Sequence, residues 1–284
     1  MKIGILGLGS IGKRHFENFK KLGCEVRGYD PGVDGYDRHQ VTEWANALVI
    51  ASPTSNHYED IVTCPAGIPL LVEKPIVDTV IRRNNICDDN HSIAMVGYNL
   101  RFHSCVIQAR KWLGEGLIGK PLWANFTCAQ YNDKPAYRRD GVILNWSHEI
   151  DLAVYLLGQG VICASSISNA SESLADIIFE HSLTGCRTSI HLDYLTYVER
   201  RGFSIIGQEG TIDVNLVERT ALAVPGNYPD IFFQGKDDFA SNYLAEAQAF
   251  WNRIDGQETI GCTAKEALEV VDICLTAKEM AHGK

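Results

Sequence analysis

The chain has 284 residues, 45% of them apolar and 21% charged, with a net charge of −9 and a pI near 5.5. That is room for two domains and the composition of an ordinary soluble globular protein, while the acidic balance argues against a nucleic-acid or anionic-membrane surface. Nine cysteines occur singly with no C-x-x-C, so neither a disulfide framework nor a zinc knuckle is indicated and a reducing cytoplasm fits. No stretch approaches the ~18–20 apolar residues of a membrane span.

The first thirty residues read as strand, glycine turn, helix and strand, closing on an acid. Ile3, Ile5 and Leu6 make a short buried strand, and Gly7-Leu8-Gly9-Ser10-Ile11-Gly12 follows directly. In a dinucleotide fingerprint the first glycine permits a tight turn, the second lets backbone approach a pyrophosphate, and the third lets helix pack on strand. Phosphate oxygens then meet the N–H groups and positive dipole end of the helix. Ile11, His15, Phe19 and Leu22 recur at helical spacing, Gly23 ends the helix, and Val26 to Tyr29 form a second strand. Asp30 lies 18 residues past Gly12, where a carboxylate accepts from a ribose 2′-hydroxyl and repels a 2′-phosphate. NAD is therefore expected in preference to NADP, although an Asp before Pro31 is also common turn chemistry.

A short helix over residues 39–45 and the strand Ala47 to Ala51 come next. Only seventeen positions separate Asp30 from Ala47, too few for a full helix, strand and second helix, so the third βα unit is expected to be trimmed away. Ser52, Pro53 and Thr54 end the strand, where a cofactor would lie across the carboxyl edge of the sheet, and His57 begins the next helix. Another strand, Ile68 to Val72, runs into Glu73-Lys74-Pro75. A residue before proline is pushed to extended geometry, which projects Lys74 into the crevice where nicotinamide and substrate would meet. A helix over 79–90 and the strand Ile93 to Val96 complete a first domain, residues 1–97.

From Tyr98 the character changes. A helix from Ser104 to Glu115, a ten-residue alternating strand from Leu122 to Tyr131, a polar loop from Asn132 to Asp140, and helical spacing from Gly141 to Leu157 follow in order. Strands at 161–169, 175–181, 186–195, 201–207 and 210–215, joined by short turns, indicate a mostly antiparallel sheet. Cys186, Thr188, Ile190, Leu192 and Tyr194 alternate with Arg187, Ser189, His191 and Asp193, which gives a polar outer face. The chain ends on a helix from Tyr243 to Ile254 and on one through Ala281 that opens with the capping box Thr263 to Glu266. The fold class is α/β: a trimmed doubly wound parallel sheet, then an α+β domain over residues 98–284.

Glu73-Lys74-Pro75, then Gly97-Tyr98-Asn99-Leu100-Arg101-Phe102, then Asn145-Trp146-Ser147-His148-Glu149-Ile150-Asp151, together resemble the glucose-fructose oxidoreductase / inositol dehydrogenase / MocA family. The resemblance runs through nearly the whole chain, including Gly207 to Thr211 and the helix after Thr263. It implies an NAD(P)-binding Rossmann domain, a substrate domain with an open antiparallel sheet, and oxidation or reduction of a hydroxyl on a sugar, polyol or sugar-derived substrate. It implies a homodimer or homotetramer paired through that sheet. Lys74 would touch substrate and nicotinamide, with a Lys74-Pro75 peptide often cis, and His148 matches the catalytic or substrate-binding histidine. The family's Asp four residues before that histidine is here Leu144, and Asn145 takes its place, removing a proton-exchanging partner.

The candidate catalytic pair is thus Lys74 and His148, since an ammonium stabilises a developing alkoxide and imidazole titrates near neutral pH. The cofactor set is Gly7, Gly9, Ser10, Ile11, Gly12, Asp30, Ser52, Pro53, Thr54, His57, Glu73 and Lys74. Tyr98, Asn99, Arg101, Tyr131 and Asn145 join Lys74 and His148 toward substrate. Arg101 reads equally as a substrate clamp or an interdomain salt bridge, Asp151 as orienting His148 or capping a neighbour, and Tyr137, Arg138 and Arg139 as loop residues over a pocket. No metal-ligand spacing is present. Two other functions fit the same motifs: a lyase or glycosidase that retains NAD, and a nucleotide sensor without turnover.

Overall fold

The computed structural model describes residues 1–87, 93–133, 135–168, 171–236 and 238–283, with backbone alone over 87, 135–139 and 239. Five short segments, apolar except for the edge strand β2, form a parallel sheet: β1 (Lys2–Leu6), β2 (Glu25–Tyr29), β3 (Ala47–Ile50), β4 (Leu70–Val72) and β5 (Ile93–Val96), in the order β2-β1-β3-β4-β5. Ile3, Ile5, Leu48, Val49, Ile50 and Leu71 are wholly buried, as a parallel sheet covered on both faces requires. The crossovers are α1 (Ser10–Lys21), α2 (Arg38–Trp44), α3 (Thr54–Val62) and α4 (Val80–Cys87). The only helix between β2 and β3 is the seven-residue α2, opened by a reciprocal Asp37–Gln40 capping box. The third βα unit is therefore trimmed, as the short spacing required. Strand order reverses between β1 and β3, which makes the carboxyl ends of those strands the topological switch point.

The chain divides into two compact units, Met1–Phe102 with Asp238–Val271, and His103–Asp237 with Asp272–Lys284. Within the first unit, a later helix, residues Phe239–Ile254, comes back onto the face of the sheet that α1 covers. Its Ala247 and Phe250 join Ile3, Ile5, Phe19, Val49 and Met95 in one core, and Phe19 meets Phe250 edge-on at 6.1 Å. A cluster of this kind brings together residues more than two hundred positions apart, beyond what local periodicity reports.

The second unit contains α5 (Ser104–Gly114), β6 (Pro121–Ala129), α6 (Pro135–Asn145), α7 (Ser147–Leu157) and seven further strands. These are β7 (Gly160–Ile167), β8 (Leu174–His181), β9 (Arg187–Asp193), β10 (Arg200–Gly207), β11 (Gly210–Asn215), β12 (Thr220–Pro225) and β13 (Ile231–Gln234). They build an eight-stranded sheet in the order β13-β12-β11-β10-β6-β9-β8-β7, antiparallel except for the β6–β9 pair. Ala124, Phe126, Ile177, Ile190, Phe203, Ile205 and Ile212 are buried on its covered face, and Phe126 stacks on its register partner Phe203 at 5.0 Å. Helices α5, α6 and α7 pack against this sheet.

Several expected boundaries move, each for a local reason. Helix α3 starts at Thr54, not His57, because Pro53 supplies an extended entry residue. The loop expected from Asn132 to Asp140 is partly helical: Pro135 opens α6, proline being suited to a first turn, and Gly141 at φ 75 breaks it from the residues that follow. Strands β12 and β13 extend the sheet beyond the expected strands; in β12 the buried positions Ala221 and Ala223 are small and give a weak alternation signal. The outer face of the sheet is not wholly polar either: Trp123 and its register partner Ile206 stand 41% and 42% exposed. The last two helices are α8, Phe239–Ile254 as above, and α9 (Ala264–Ala281), where Thr263 and Glu266 form the expected capping box. Among the described residues no helix is long and apolar enough to cross a membrane.

Candidate cofactor cradle and active-site residues

In the first unit the candidate residues gather where β1, β2, β3 and β4 end. Gly7 takes φ 94, and a Cβ on it would lie 2.6 Å from the Ser52 nitrogen, so the turn after β1 is pressed against the end of β3. A Cβ on Gly12 would fall 1.8 Å from the Gly7 oxygen, which only a glycine at the start of α1 avoids. Gly9 differs, because a Cβ there would meet nothing within 4 Å. Packing does not demand that glycine, but bare backbone facing open space is what a phosphate approaching the uncapped N-terminus of α1 needs. Ser10 and Ile11 form the first turn of that helix.

Asp30 is tied to the same turn. Its Oδ2 accepts the Leu8 N–H at 2.7 Å and its Oδ1 the Gly32 N–H at 2.9 Å. These two bonds, Gly32's first and Leu8's second, hold its pKa below the ordinary carboxylate value. An ionised carboxylate has about four lone-pair positions, so acceptor capacity remains for a ribose hydroxyl. The arginines that could hold a 2′-phosphate are engaged elsewhere: Arg38 bonds the Asp60 carboxylate and Thr63 Oγ1, and the Arg14 guanidinium lies 4.5 Å from the Tyr243 ring centroid. The glycine turn, the acid and the free backbone at Gly9 thus suit a dinucleotide without a 2′-phosphate.

At the end of β3 the Ser52 hydroxyl donates to Asp60, and Pro53 and Thr54 lead into α3. His57, one turn into that helix and wholly buried, spans two backbone segments: Nδ1 lies 2.9 Å from the Pro75 oxygen and Nε2 2.9 Å from the Ser52 oxygen. A carbonyl only accepts, so a neutral ring serves one of them and a protonated ring both. Burial, the largest influence, lowers the His57 pKa, against an upward pull from the two carbonyls. His57 thereby fastens the end of β3 to the segment after β4, where the Lys74-Pro75 peptide is cis and Lys74 is half-buried. Glu73, the residue before Lys74, lies with its Oε1 2.7 Å from His15 Nε2.

Tyr98, Asn99 and Arg101 are each 1% exposed, on the segment after β5. Arg101 Nη1 donates to Glu266 Oε1 at 3.0 Å, so the acid that closes the capping box of α9 also holds this guanidinium. Both partners of this ion pair lie within the first unit, so it is not an interdomain bridge.

In the second unit, α7 carries His148 in its first turn, buried at 7% exposure. That turn is fixed by neighbours the motif does not reveal. Glu149 forms a two-point ion pair with Arg201 on β10 at 2.7 and 3.2 Å, and Trp146 packs edge-on against Tyr194 at 4.4 Å. Asp151 is fully buried on the same helix. The Asn145 amide donates to the Gly141 oxygen at 3.2 Å across the break in α6. Gly141 itself sits against Glu172, which pairs with Lys278 at 2.8 Å. Tyr131 is 44% exposed and stacks on Tyr197 at 4.5 Å. The side chains of Tyr137, Arg138 and Arg139 lie outside the described residues.

No family model matches the chain. It is similar along its full length to curated proteins and solved structures. Myo-inositol 2-dehydrogenase of Thermotoga maritima is 24% identical, with 100% of this chain and 97% of that protein covered. The scyllo-inositol 2-dehydrogenase (NAD(+)) of Bacillus subtilis is 25% identical, over 88% of this chain and 85% of that protein. The structure of levoglucosan dehydrogenase in complex with NADH and levoglucosan superposes with a TM-score of 0.87 at 18% identity, covering 100% of this chain and 97% of that one. The fold is theirs. The resemblance first read from three short motifs extends over both units, with the parallel sheet and the eight-stranded sheet each in place.

Proposed function

We propose that the chain is an NAD-dependent oxidoreductase acting on a CH–OH group of a cyclic polyol, sugar or sugar-derived substrate. The observation that carries this reading is the Asp30 carboxylate seated on the Leu8 N–H of the glycine turn, beside backbone left open at Gly9. Full-length similarity to inositol dehydrogenases, one of them named for NAD, supports it. Residues 1–97 are read as cofactor-binding and 98–284 as substrate-binding.

Bound NAD supplies the hydride acceptor. Asp30 accepts ribose hydroxyls, and the first N–H groups of α1 take up pyrophosphate charge. Lys74 stabilises negative charge on the substrate oxygen as its proton leaves, and His148 accepts that proton. With Asn145 in the position of the family's acid, no carboxylate stands one turn before His148, so that position can orient a hydroxyl but cannot pass a proton. Tyr98, Asn99 and Arg101 are read as shaping the substrate side from beneath, since all three are buried. We further read the chain as a homo-oligomer formed through the outer face of the large sheet, where Trp123, Ile206 and Val224 interrupt the polar pattern.

The test is direct. Purified protein is mixed with NAD and a panel of inositols, anhydrosugars and free sugars, and reduced nicotinamide is followed by absorbance. Net accumulation of NADH with at least one member supports the reading. Substrate consumption without NADH would instead identify a cofactor-retaining lyase or glycosidase, and tight NAD binding without any conversion would sink the enzyme assignment.

A further inference from the structure

Beneath the end of β4 three ionisable side chains from distant stretches meet: His15 of α1, Glu73, and Glu246 of α8, with one donor or acceptor atom from each within 4.8 Å of the others. His15 and Glu246 are fully buried and Glu73 is 8% exposed. His15 Nε2 is 2.7 Å from Glu73 Oε1, whereas neither oxygen of Glu246 has a hydrogen-bond partner among the described residues. Three arginines of the first unit are engaged elsewhere: Arg14 over Tyr243, Arg101 with Glu266, and Arg253 on the carbonyls of Ala94, Thr259 and Gly261. Tyr243 itself meets the His15 ring edge-on at 6.2 Å.

An unpaired carboxylate at zero exposure costs several kcal/mol, so Glu246 must carry either a proton or a bound cation. The geometry favours the proton. A divalent transition metal holding His and carboxylate at ~2.0–2.2 Å separates its ligand atoms by more than 3 Å, but the His15–Glu73 distance is that of a direct hydrogen bond. A protonated carboxyl is a donor in need of an acceptor, and the neighbouring ionisable acceptor is Glu73. Burial first, and the charge of Glu73 second, push the Glu246 pKa well above the ordinary carboxylate range.

We infer that His15, Glu73 and Glu246 form a buried proton-sharing triad: His15 Nε2–H directly, and the Glu246 O–H through one water, hold an ionised Glu73. Glu73 immediately precedes Lys74, and His57 fastens the following Pro75 oxygen. Glu246 is therefore a positioning residue that acts on Lys74 through Glu73. Its effect on turnover rests on the proposed oxidoreductase reading. The protonation of Glu246 does not.

Two measurements on the full-length protein decide the matter. By infrared spectroscopy in heavy water near neutral pH, the wild type should show a protonated-carboxyl C=O band that Glu246→Gln removes. Absence of such a band overturns the triad whether or not the protein has activity. In turnover, Glu246→Gln keeps a neutral donor and should stay within ~3-fold of wild-type kcat, while Glu246→Ala should lose ~10-fold or more with KM for NAD little changed. Equal loss in both variants overturns the positioning role. Stoichiometric metal in the purified protein, or a rise in Tm with added zinc that Glu246→Gln abolishes, would replace the proton by a cation and overturn the inference. A wild type that turns over nothing, yet shows the band, refutes the proposed function and leaves the proton assignment standing.

Discussion

The cofactor preference follows from how Asp30 is held. Its carboxylate is fixed at both oxygens by backbone N–H groups, one from the glycine turn and one from Gly32, and it remains ionised because those bonds lower its pKa. A ribose hydroxyl donating to this fixed charge contributes ~1.5–3 kcal/mol net. A 2′-phosphate carrying nearly two charges at ~5 Å from it is disfavoured by roughly 1.5 kcal/mol at bulk-water dielectric, and by more where protein displaces water. The two effects sum to about 3–4.5 kcal/mol, a preference for NAD of ~100-fold or more at one factor of ten per 1.4 kcal/mol. Neither Arg14 nor Arg38 offsets this, given their engagement with Tyr243 and with Asp60 and Thr63.

Replacing Asp30 by Ala removes the ribose acceptor and also leaves the Leu8 and Gly32 N–H groups without their partner. The variant should lose ~30- to 100-fold in NAD affinity and much less in NADP affinity, because the lost repulsion compensates the loosened turn. Calorimetric titration of wild type and variant with both cofactors, at one ionic strength, gives the four dissociation constants. Wild-type binding of NADP within threefold of NAD would refute the electrostatic argument. Equal weakening of both cofactors in Asp30→Ala would reduce Asp30 to a turn residue and nothing more.

Lys74→Ala and His148→Ala should each lower kcat by ~100-fold or more, the usual scale for a charge-stabilising or proton-transfer group, with the histidine variant also losing the acidic limb of the kcat/KM profile. Should His148→Ala retain both turnover and that limb, Tyr131 is the next base to test. His57 has a folded-state pKa below its ordinary 6.5, so the stability its neutral form supports is fully present above 6.5 and is lost as pH falls through 6.5 toward the folded value. His181 has the same sign for the same reason, burial, and His57→Gln should therefore flatten part, not all, of the fall in Tm on acidification. Light scattering at micromolar concentration should give a dimer or tetramer that Ile206→Glu shifts toward monomer. A monomeric wild type would end the proposal that the outer sheet face pairs.

What the sequence made legible was what short-range physics dictates. The glycine turn, the trimmed crossover after Asp30, the alternation of β9 and the capping box before α9 all depend on neighbours within a few residues, and each stands in the structure. The return of α8 to the first unit depends instead on Ala247 and Phe250 fitting against Phe19 and the strands, a packing match that carries no local mark. The amphipathic stripe of α8 tells that the helix is half-buried, not which sheet it covers. Likewise Pro135 reads locally as loop punctuation, and only the helical turns that follow it reveal a first-turn proline.

The same distinction runs through the candidate residues. Motif positions were readable because backbone geometry at a strand end or helix start fixes them, but the groups that hold those positions lie far away in sequence. Arg201, fifty-two residues beyond Glu149, anchors the first turn of α7. Glu246 reaches the acid beside Lys74 from the opposite end of the chain. Asn145 shows what this means for function. From the sequence it is a substitution for a missing acid, whereas in the structure its amide is also spent on the Gly141 oxygen, bracing a break that glycine alone permits beside Glu172. A side chain that already braces its own helix has one role that an aspartate, lacking an N–H, could not fill. The amide at position 145 is therefore matched to the local backbone.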